Sequence, residues 1–366
     1  MSIPISSLPE PALDDQRSLI TRIHSICSAA DESSRKPLKR KVLEIPAELL
    51  RNLSKVSKQS SILCKDGIPF GLQNFSTPVY GAAADIGTTT IVIYLLNLLT
   101  GEQIDTFSAL NAQKKFGADV ISRITFASKS EENRKKISET IAFQLEEGIQ
   151  QLLRKHTINE DHFHLLCAAG NTTMMHLLAG VHTEGIAVSP FIPVFTDMMV
   201  FAAAELGMTR IKKASIELMP SVAAYIGSDI TAGIHVSGIH ESEEPEILLD
   251  IGTNGEIALE SAGTILCCST AAGPAFEGAN ITCGTGGIPG AVDSVALNPD
   301  GVSFTTIGGA KPVGICGSGI IDAAAELLEY GIIDYTGRLL GPEETDHPCI
   351  QERNGEPIFL LSSSGE

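Results

Sequence analysis

The sequence lacks the cysteine spacings of the common metal and iron–sulfur sites. Its eight cysteines include no CxxC pair, and no group of them has the spacing of a zinc or iron–sulfur site. Several stand in apolar runs, where cysteine behaves as a small buried hydrophobic residue. We therefore expect reduced thiols, a cytoplasmic location and no iron–sulfur cluster in this chain. The cysteines are Cys27, Cys64, Cys167, Cys267, Cys268, Cys283, Cys316 and Cys349.

Two common phosphate-binding signatures and any long apolar segment are also missing. The chain contains no GxxxxGK[ST] sequence, which excludes a P-loop. The residues after the first predicted strand of the main domain do not fit the GxGxxG of a dinucleotide-binding fold. No signal-peptide pattern occurs, and no apolar run is long enough to span a bilayer, so we expect no membrane association.

Positive charge is scarce and unevenly placed. The 26 Lys and Arg residues against 44 Asp and Glu give a net charge of −18, which argues against general nucleic-acid binding. Residues 1–78 hold 11 basic and 8 acidic residues, a balance of +3, so the remainder carries −21. The first segment is therefore a different piece of protein. With 366 residues, 43% of them hydrophobic, the chain is long enough for two or three globular domains.

Two similar stretches, Asp85–Thr90 and Asp250–Gly255, are the main functional signal. Each lies between two apolar runs, which predicts a β-hairpin with a polar tip. Glycine allows a tight turn, consecutive backbone N–H groups can cradle phosphate oxygens, and Asp can hold Mg²⁺ directly or through water. A single such stretch could be an ordinary turn. Two copies 165 positions apart (250 − 85) indicate an internal repeat, in which each half supplies one loop to a shared cleft.

Three further segments each permit two or more interpretations. Asn171 to Thr173 follow the predicted strand Phe163–Ala168 and precede a helix, which fits an anion site or a simple N-cap. Gly314 to Gly319 precede another predicted helix, where glycine admits either a nucleotide or tight packing. Glu277 stands among small and apolar residues, which fits a metal ligand, a base or a structural hydrogen bond.

The remaining patterns predict alternating strands and helices. Apolar spacing predicts helices over Asp119–Ala127 and Arg134–Leu153 and a small-residue helix over Ser221–Val236. Residues 184–220 contain several prolines and predict an irregular excursion. We divide the chain into a linker or middle-domain remnant, a first subdomain and a second subdomain, at residues 1–78, 79–243 and 244–366.

With these motifs in order, the chain resembles the reductive activators of corrinoid proteins, a family within the actin, sugar kinase and heat-shock chaperone superfamily of ATPases. The resemblance covers about residues 60–345. It implies an α/β, actin-like ATPase fold of two duplicated ribonuclease-H-like subdomains, the second incomplete, preceded by a small α+β segment. The strings that carry it are ADIGTTT from Ala84, AGNTTM from Ala169, DIGTNGE from Asp250, CSTAAGPAFEGA from Cys268 and GICGSG from Gly314.

The resemblance implies a protein that couples ATP and Mg²⁺ to the reduction of a partner's corrinoid cobalt from Co(II) to Co(I), from which methyl transfer resumes. Asp85 and Asp250 would hold hydrated Mg²⁺, and Glu256 or Glu277 would position the attacking water. The residues that would surround the nucleotide are Gly87, Thr88, Thr89 and Thr90 of the first loop, Asn171 and Thr172 of the connecting segment, Gly252, Thr253, Asn254 and Gly255 of the second loop, and Gly317 and Ser318.

Two departures from the family shape the expected partners. The family usually carries an N-terminal two-iron ferredoxin domain, whereas Cys27 and Cys64 are the only cysteines before residue 167. The family also continues beyond this C-terminus with a glycine-rich adenosine loop. We therefore expect a corrinoid protein and an external ferredoxin-type electron donor as partners, with a homodimer as a further candidate. The alternatives are a small-molecule kinase of the same fold and a non-catalytic partner-binding fragment.

Overall fold

The computed structural model describes residues 2–4, 51, 60–65, 68–74, 77–252, 254–273 and 281–362. The chain forms two compact units. The first unit comprises Met1–Gly81, Leu96–Ile104 and His162–His164; the second comprises Ala82–Leu95, Asp105–Asp161 and Leu165–Glu366. Among the described helices, none is both long and apolar enough to cross a membrane.

In the first unit, three strands form an antiparallel sheet in the order β1-β2-β3. They are β1 (Ser2–Pro4), β2 (Ser60–Lys65) and β3 (Ile68–Asn74). Ile62 and Leu63 of β2 are buried and form part of the apolar core. Cys64 is disulfide-bonded, so the expectation of reduced thiols is wrong for this residue. The other described cysteines are free thiols.

The next six strands along the chain form one sheet in the order β6-β5-β4-β7-β9-β8. The central strands carry alternating apolar residues; Ile91, Ile93 and Leu95 of β5 are fully buried. This alternation matches the strands that the sequence predicted around the first loop. The strands are β4 (Tyr80–Ile86), β5 (Thr90–Asn97), β6 (Gln103–Leu110), β7 (Phe163–Gly170), β8 (Met199–Ala202) and β9 (Ser215–Leu218).

Two helices between β6 and β7 confirm the predicted helical spacing. Helix α1 (Val120–Ser128) starts at Asp119, whose side chain accepts a hydrogen bond from the backbone N–H of Ser122 in a capping box. Helix α2 (Glu131–Lys155) buries a stripe of apolar residues spaced by three and four positions. At Gly148 of α2, a Cβ atom would lie 2.7 Å from the Phe107 ring, so only glycine permits this close packing on the sheet.

The segment between β7 and the second half differs from its prediction. Residues 184–220 include a short helix α4 (Glu184–Ala187) and the sheet strands β8 and β9, whereas we expected an irregular excursion. Helix α3 (Thr172–Ala179) precedes this segment and follows strand β7. The helix predicted over Ser221–Val236 begins only at Ser228, as helix α5 (Ser228–Ser237). The residues before Ser228 form a tight turn instead, with the Val222 N–H donating to the Ile226 carbonyl at 2.9 Å.

The described residues of the second half form three smaller sheets and one long helix. Helix α6 (Gly317–Glu329) packs on β13 so closely that a Cβ at Gly319 would collide with the Val292 carbonyl oxygen. This contact supports the packing interpretation for Gly319, which lies within the first turn of α6. The strands are β10 (Glu246–Ile251), β11 (Asn254–Ser261), β12 (Thr264–Ala271), β13 (Ala291–Asn298), β14 (Gly301–Thr306), β15 (Gly314–Ile315), β16 (Ile350–Arg353) and β17 (Glu356–Phe359).

Candidate functional site

The first loop, Asp85–Thr90, forms the tip of the hairpin between β4 and β5 as predicted. The Gly87 N–H donates to the Thr90 carbonyl at 2.9 Å and closes the turn. A Cβ atom at Gly87 would lie 2.7 Å from that same carbonyl oxygen. Glycine is therefore required at this position by the close approach of backbone to backbone.

Protein donors hold the backbone and one side chain of the first loop. The buried Asn111 side chain donates from Nδ2 to the Gly87 carbonyl at 2.8 Å, and its backbone N–H donates to the Thr89 carbonyl at 2.8 Å. Asn171 donates from Nδ2 to Thr88 Oγ1 at 3.0 Å. These contacts fix the loop from two different elements, so its shape exists without a ligand.

The second loop, Asp250–Glu256, lies at the tip of the antiparallel hairpin β10–β11. The Gly252 N–H donates to the Asn254 carbonyl at 2.9 Å. Strand register places Glu256 directly opposite Asp250, and the Ser269 hydroxyl donates to Glu256 Oε1 at 2.9 Å. Both stretches therefore lie at hairpin tips, as the sequence predicted. Thr253 lies outside the described residues.

The structure brings four acidic residues into one electrostatic group, which we call the carboxylate cluster: Asp85, Asp229, Asp250 and Glu256. Burial raises the pKa of Asp85 to about 6, and the charges of Asp229 and Asp250 add to this rise. Burial also raises the pKa of Asp229 to about 6, with a further contribution from Asp250. The pKa values of Asp250 and Glu256 are raised by burial, and Asp229 and Asp250 add to the rise at Glu256.

The Asp85 side chain is nevertheless open to solvent. Both observations fit a concave site, where water reaches the carboxylate oxygens while protein atoms occupy much of the volume around them. Carboxylates that repel one another in such a place favour a bound cation, which would lower their pKa values. Within the described residues, no group of three or more His, Cys, Asp or Glu side chains could hold a metal ion directly. The cluster therefore fits hydrated Mg²⁺, which usually takes one or two carboxylates and keeps several waters.

Asp229 is the cluster member that the sequence did not reveal. It is the second residue of helix α5, and its Oδ1 accepts a hydrogen bond from the Ile230 N–H at 2.9 Å. Close packing fixes the start of this helix, because a Cβ at Gly227 would lie 2.5 Å from the Asn171 Cα atom. The only sequence signal was a Gly-Ser-Asp string before an apolar stretch, and that pattern also occurs at ordinary helix starts.

Asn171 and Thr172 have contacts that account for them without a ligand. Asn171 caps helix α3, since its Oδ1 accepts from the Met174 N–H at 3.0 Å, and it also bridges to the first loop. Thr172 is fully buried, and its hydroxyl donates to the Ala223 carbonyl at 2.7 Å. The N-cap interpretation is therefore confirmed for Asn171, and Thr172 holds the turn that leads to Asp229.

The remaining candidates are placed as follows. Gly317 and Ser318 form the first turn of helix α6, and Ser318 Oγ lies 3.4 Å from Cys316 Sγ. Asn254 and Gly255 open strand β11, where a Cβ at Gly255 would have only ordinary contacts, the nearest at 3.5 Å. Their contribution to nucleotide binding stays a prediction. Glu277 lies outside the described residues.

A glycine-rich segment of the second half reaches the first loop. A Cβ atom at Gly286 would lie 2.6 Å from Thr90 Oγ1, and the Ser108 hydroxyl donates to the Gly287 carbonyl. The structure places this segment directly against the threonines of the first loop.

Comparisons with known proteins agree with this architecture. Residues 80–242 match a family model described as the RACo middle region, and residues 244–366 match one described as the C-terminal domain of RACo, the ASKHA domain. A solved structure of a reductive activator for a corrinoid, iron–sulfur protein superposes with a TM-score of 0.78 at 32% identity. That superposition covers 99% of this chain and 57% of the other.

Two curated relatives are similar in sequence. The chain is 34% identical over 294 residues to the corrinoid activation enzyme RamQ of Eubacterium limosum, a match that covers 79% of this chain and 49% of the relative. It is 26% identical over 287 residues to a Methanosarcina barkeri reductase of a Co(II) methylated amine-specific corrinoid protein, covering 70% and 52%. The chain thus spans about half the length of these relatives. Together with the paired hairpins, these matches show that the chain belongs to the family of reductive activators of corrinoid proteins and has its actin-like α/β fold.

Proposed function

We propose that this chain binds Mg²⁺–ATP at the two loops and uses the nucleotide to drive reduction of a partner's corrinoid cobalt from Co(II) to Co(I). The observation that carries the proposal is the carboxylate cluster, which the tips of two similar hairpins and the start of helix α5 form together. It supplies negative charge for a hydrated cation, and the first loop beside it supplies backbone and hydroxyl donors for phosphate oxygens. The family membership and the names of the relatives support the corrinoid partner.

Each residue of the site has a role in this proposal. Asp85 and Asp250, at the ends of strands β4 and β10, would hold hydrated Mg²⁺. Thr88, Thr89 and Thr90 offer donors to the phosphates. Bound Mg²⁺ would neutralise the developing charge on the phosphate oxygens during hydrolysis.

Glu256 and Asp229 are the candidates for orienting the attacking water. Their raised pKa values make each a better proton acceptor than an ordinary surface carboxylate. The hydrogen bond from Ser269 holds one Glu256 oxygen, which leaves the other oxygen to a water molecule. Glu277 remains a candidate for the same role from the sequence alone.

The redox step adds one electron to Co(II) and forms Co(I). We propose that a ferredoxin-type protein donates this electron and that ATP hydrolysis to ADP and phosphate makes the transfer favourable. The nucleotide acts by changing which partner state this chain binds more tightly, since a ligand shifts an equilibrium only through such a difference in affinity.

The first test is calorimetric titration of Mg²⁺–ATP and Mg²⁺–ADP into the chain, beside an Asp250→Asn variant. We expect binding by the wild-type chain and a loss of at least about tenfold in the variant, because a charge-assisted contact is removed. An Asp300→Asn variant provides the matched control, since Asp300 lies exposed on the turn between β13 and β14. Equal affinities in all three proteins would rule out the carboxylate cluster as the cation site.

The second test follows the absorbance of Co(I) in an oxidised corrinoid protein mixed with this chain, a reduced ferredoxin and Mg²⁺–ATP. Both a methylated-amine corrinoid protein and a corrinoid iron–sulfur protein serve as substrates, following the names of the relatives. Co(I) formation that requires ATP and this chain is expected with at least one of them. Formation of Co(I) at the same rate without ATP would contradict the proposed coupling.

A further inference from the structure

Arg123 of helix α1 is fully buried, and among the described residues it has the largest fully buried side chain. Its guanidinium donates from Nη2 to the Thr88 carbonyl at 2.6 Å and from Nε to the Gly117 carbonyl at 3.0 Å. Nη1 lies 3.3 Å from Met174 Sδ. Burying a guanidinium is unfavourable unless it is well hydrogen-bonded, so these contacts mark a specific arrangement.

The geometry of the guanidinium explains why arginine occupies this position. Its rigid planar fork reaches two backbone carbonyls from different nitrogens at once, one in the first loop and one before helix α1. A lysine ammonium at the end of a flexible stem could keep the charge but not both directed hydrogen bonds.

Arg123 completes a set of contacts to three consecutive carbonyls. Asn111 holds those of Gly87 and Thr89, and Arg123 holds that of Thr88 between them. In a planar trans peptide, the C=O of one residue and the N–H of the next point in opposite directions. Each of the N–H groups of Thr88, Thr89 and Thr90 is therefore directed away from the donor that holds the carbonyl before it.

We propose that Arg123 is the positioning residue of the first loop: it orients the Thr88–Thr89 peptide toward the phosphate side and adds a buried positive charge behind it. This inference rests on the proposed nucleotide binding. A fixed positive charge in a low-dielectric surrounding attracts phosphate more strongly than the same charge in water. Arg123 touches no reacting atom and acts through the loop backbone.

Two variants separate the effect of the directed hydrogen bonds from the effect of the buried positive charge. Arg123→Lys keeps the charge and loses the fork, while Arg123→Met keeps a stem of similar length and loses both. Thr125→Ala is the matched control, because Thr125 lies exposed on the same helix and its hydroxyl donates to the Ile121 carbonyl one turn earlier. Thermal denaturation first identifies the variants that fold.

Hydrogen exchange of the free proteins reports on the loop without any nucleotide. We expect faster exchange at residues 88–90 in both Arg123 variants, unchanged exchange in strands β10 to β12, and no change in Thr125→Ala. Mg²⁺–ATP titration then separates geometry from charge. We expect about tenfold weaker binding in Arg123→Lys and about 100-fold weaker binding in Arg123→Met, from the strength of charged hydrogen bonds.

The outcomes distinguish this inference from the proposed function. If the wild-type chain binds no Mg²⁺–ATP, the proposed function fails, and the exchange data alone decide whether Arg123 orders the loop. Unchanged exchange at residues 88–90 in both variants would overturn the inference. Equal Mg²⁺–ATP affinities of the Lys and Met variants would overturn the part of the inference that assigns an attraction for phosphate to the buried positive charge. Should the Met variant fail to fold, the Lys variant carries the exchange test, because it keeps the buried charge and most of the volume.

Discussion

Replacing Asp229 by Asn is expected to stabilise the chain at neutral pH and to weaken Mg²⁺–nucleotide binding. The pKa of Asp229 rises from 3.8 to about 6 in the folded protein, chiefly because of burial and also because of Asp250. Between these two values the folded state holds the proton more tightly than the unfolded state. The free energy of unfolding therefore falls as pH rises through this window, and the loss is complete above about pH 7.

The size of the effect follows from the shift. About two pKa units at 1.36 kcal/mol per unit give roughly 3 kcal/mol as the upper limit. Asp229 is only partly buried, so solvent screening reduces this to about 1–2 kcal/mol. Asn keeps the Oδ1 acceptor for the Ile230 N–H, and therefore the substitution removes the charge with little loss of contact. We expect a melting temperature about 1–3 °C higher at pH 8.

The assay is thermal denaturation of wild-type, Asp229→Asn and Asp300→Asn proteins between about pH 4 and pH 8, without Mg²⁺. The difference between wild type and Asp229→Asn should be near zero at the acidic end and grow through about pH 6. Asp300→Asn, on an exposed turn, should change stability by less than about 0.5 kcal/mol at every pH. A difference that is independent of pH, or a less stable Asp229→Asn protein at pH 8, would refute the reasoning.

Three further predictions concern the same site. Gly87→Ala should destabilise the chain by about 1–3 kcal/mol, because its Cβ would lie 2.7 Å from the Thr90 carbonyl oxygen. Gly255→Ala should destabilise the chain far less, because the nearest atom to its Cβ lies at 3.5 Å. Chemical denaturation measures both free energies of unfolding. Asn171→Ala removes the cap of helix α3 and the hydrogen bond to Thr88. We therefore expect a loss of about 1–2 kcal/mol in the free energy of unfolding and weaker Mg²⁺–ATP binding by calorimetry. Unchanged binding would contradict a role of this hydrogen bond in holding the first loop. Mg²⁺ affinity should fall as pH drops below about 6, because protons then compete with the cation for the carboxylate cluster. Calorimetric titrations at several pH values measure this dependence. An affinity that does not change with pH would show that these carboxylates do not bind the cation.

The local features of the fold were predictable because they depend on short-range patterns. Helix α2 followed from apolar residues spaced by three and four, and all of that stripe is buried. The hairpins followed from apolar runs on both sides of a glycine-bearing tip. The strands β8 and β9 were missed, since each has only four residues and the segment around them contains several prolines. Such short strands form through pairing with neighbours distant in sequence.

The parts of the site that depend on tertiary packing were not predictable. Arg123 stands in an ordinary helical pattern, where a charged residue is normally expected on the solvated face. Its burial arises because helix α1 turns this position toward the first loop, which lies 35 residues earlier in the chain. Asp229 likewise gains its role from the carboxylates of two distant strand ends. The sequence signals alone could not distinguish either residue from its ordinary structural counterparts.

Two kinds of charge lie close to the first loop, and they affect the stability of the folded protein differently. Arg123 is held by backbone carbonyls and is compatible with the folded state without a ligand. The ionised carboxylate cluster instead destabilises the folded protein moderately, because burial and mutual repulsion raise the pKa values of Asp85 and Asp229. A cation at the cluster removes this penalty, and any ligand that binds only the folded state stabilises it. Stability and Mg²⁺ binding are consequently linked through the same carboxylates, so a substitution that relieves their repulsion must also weaken the site for its cation.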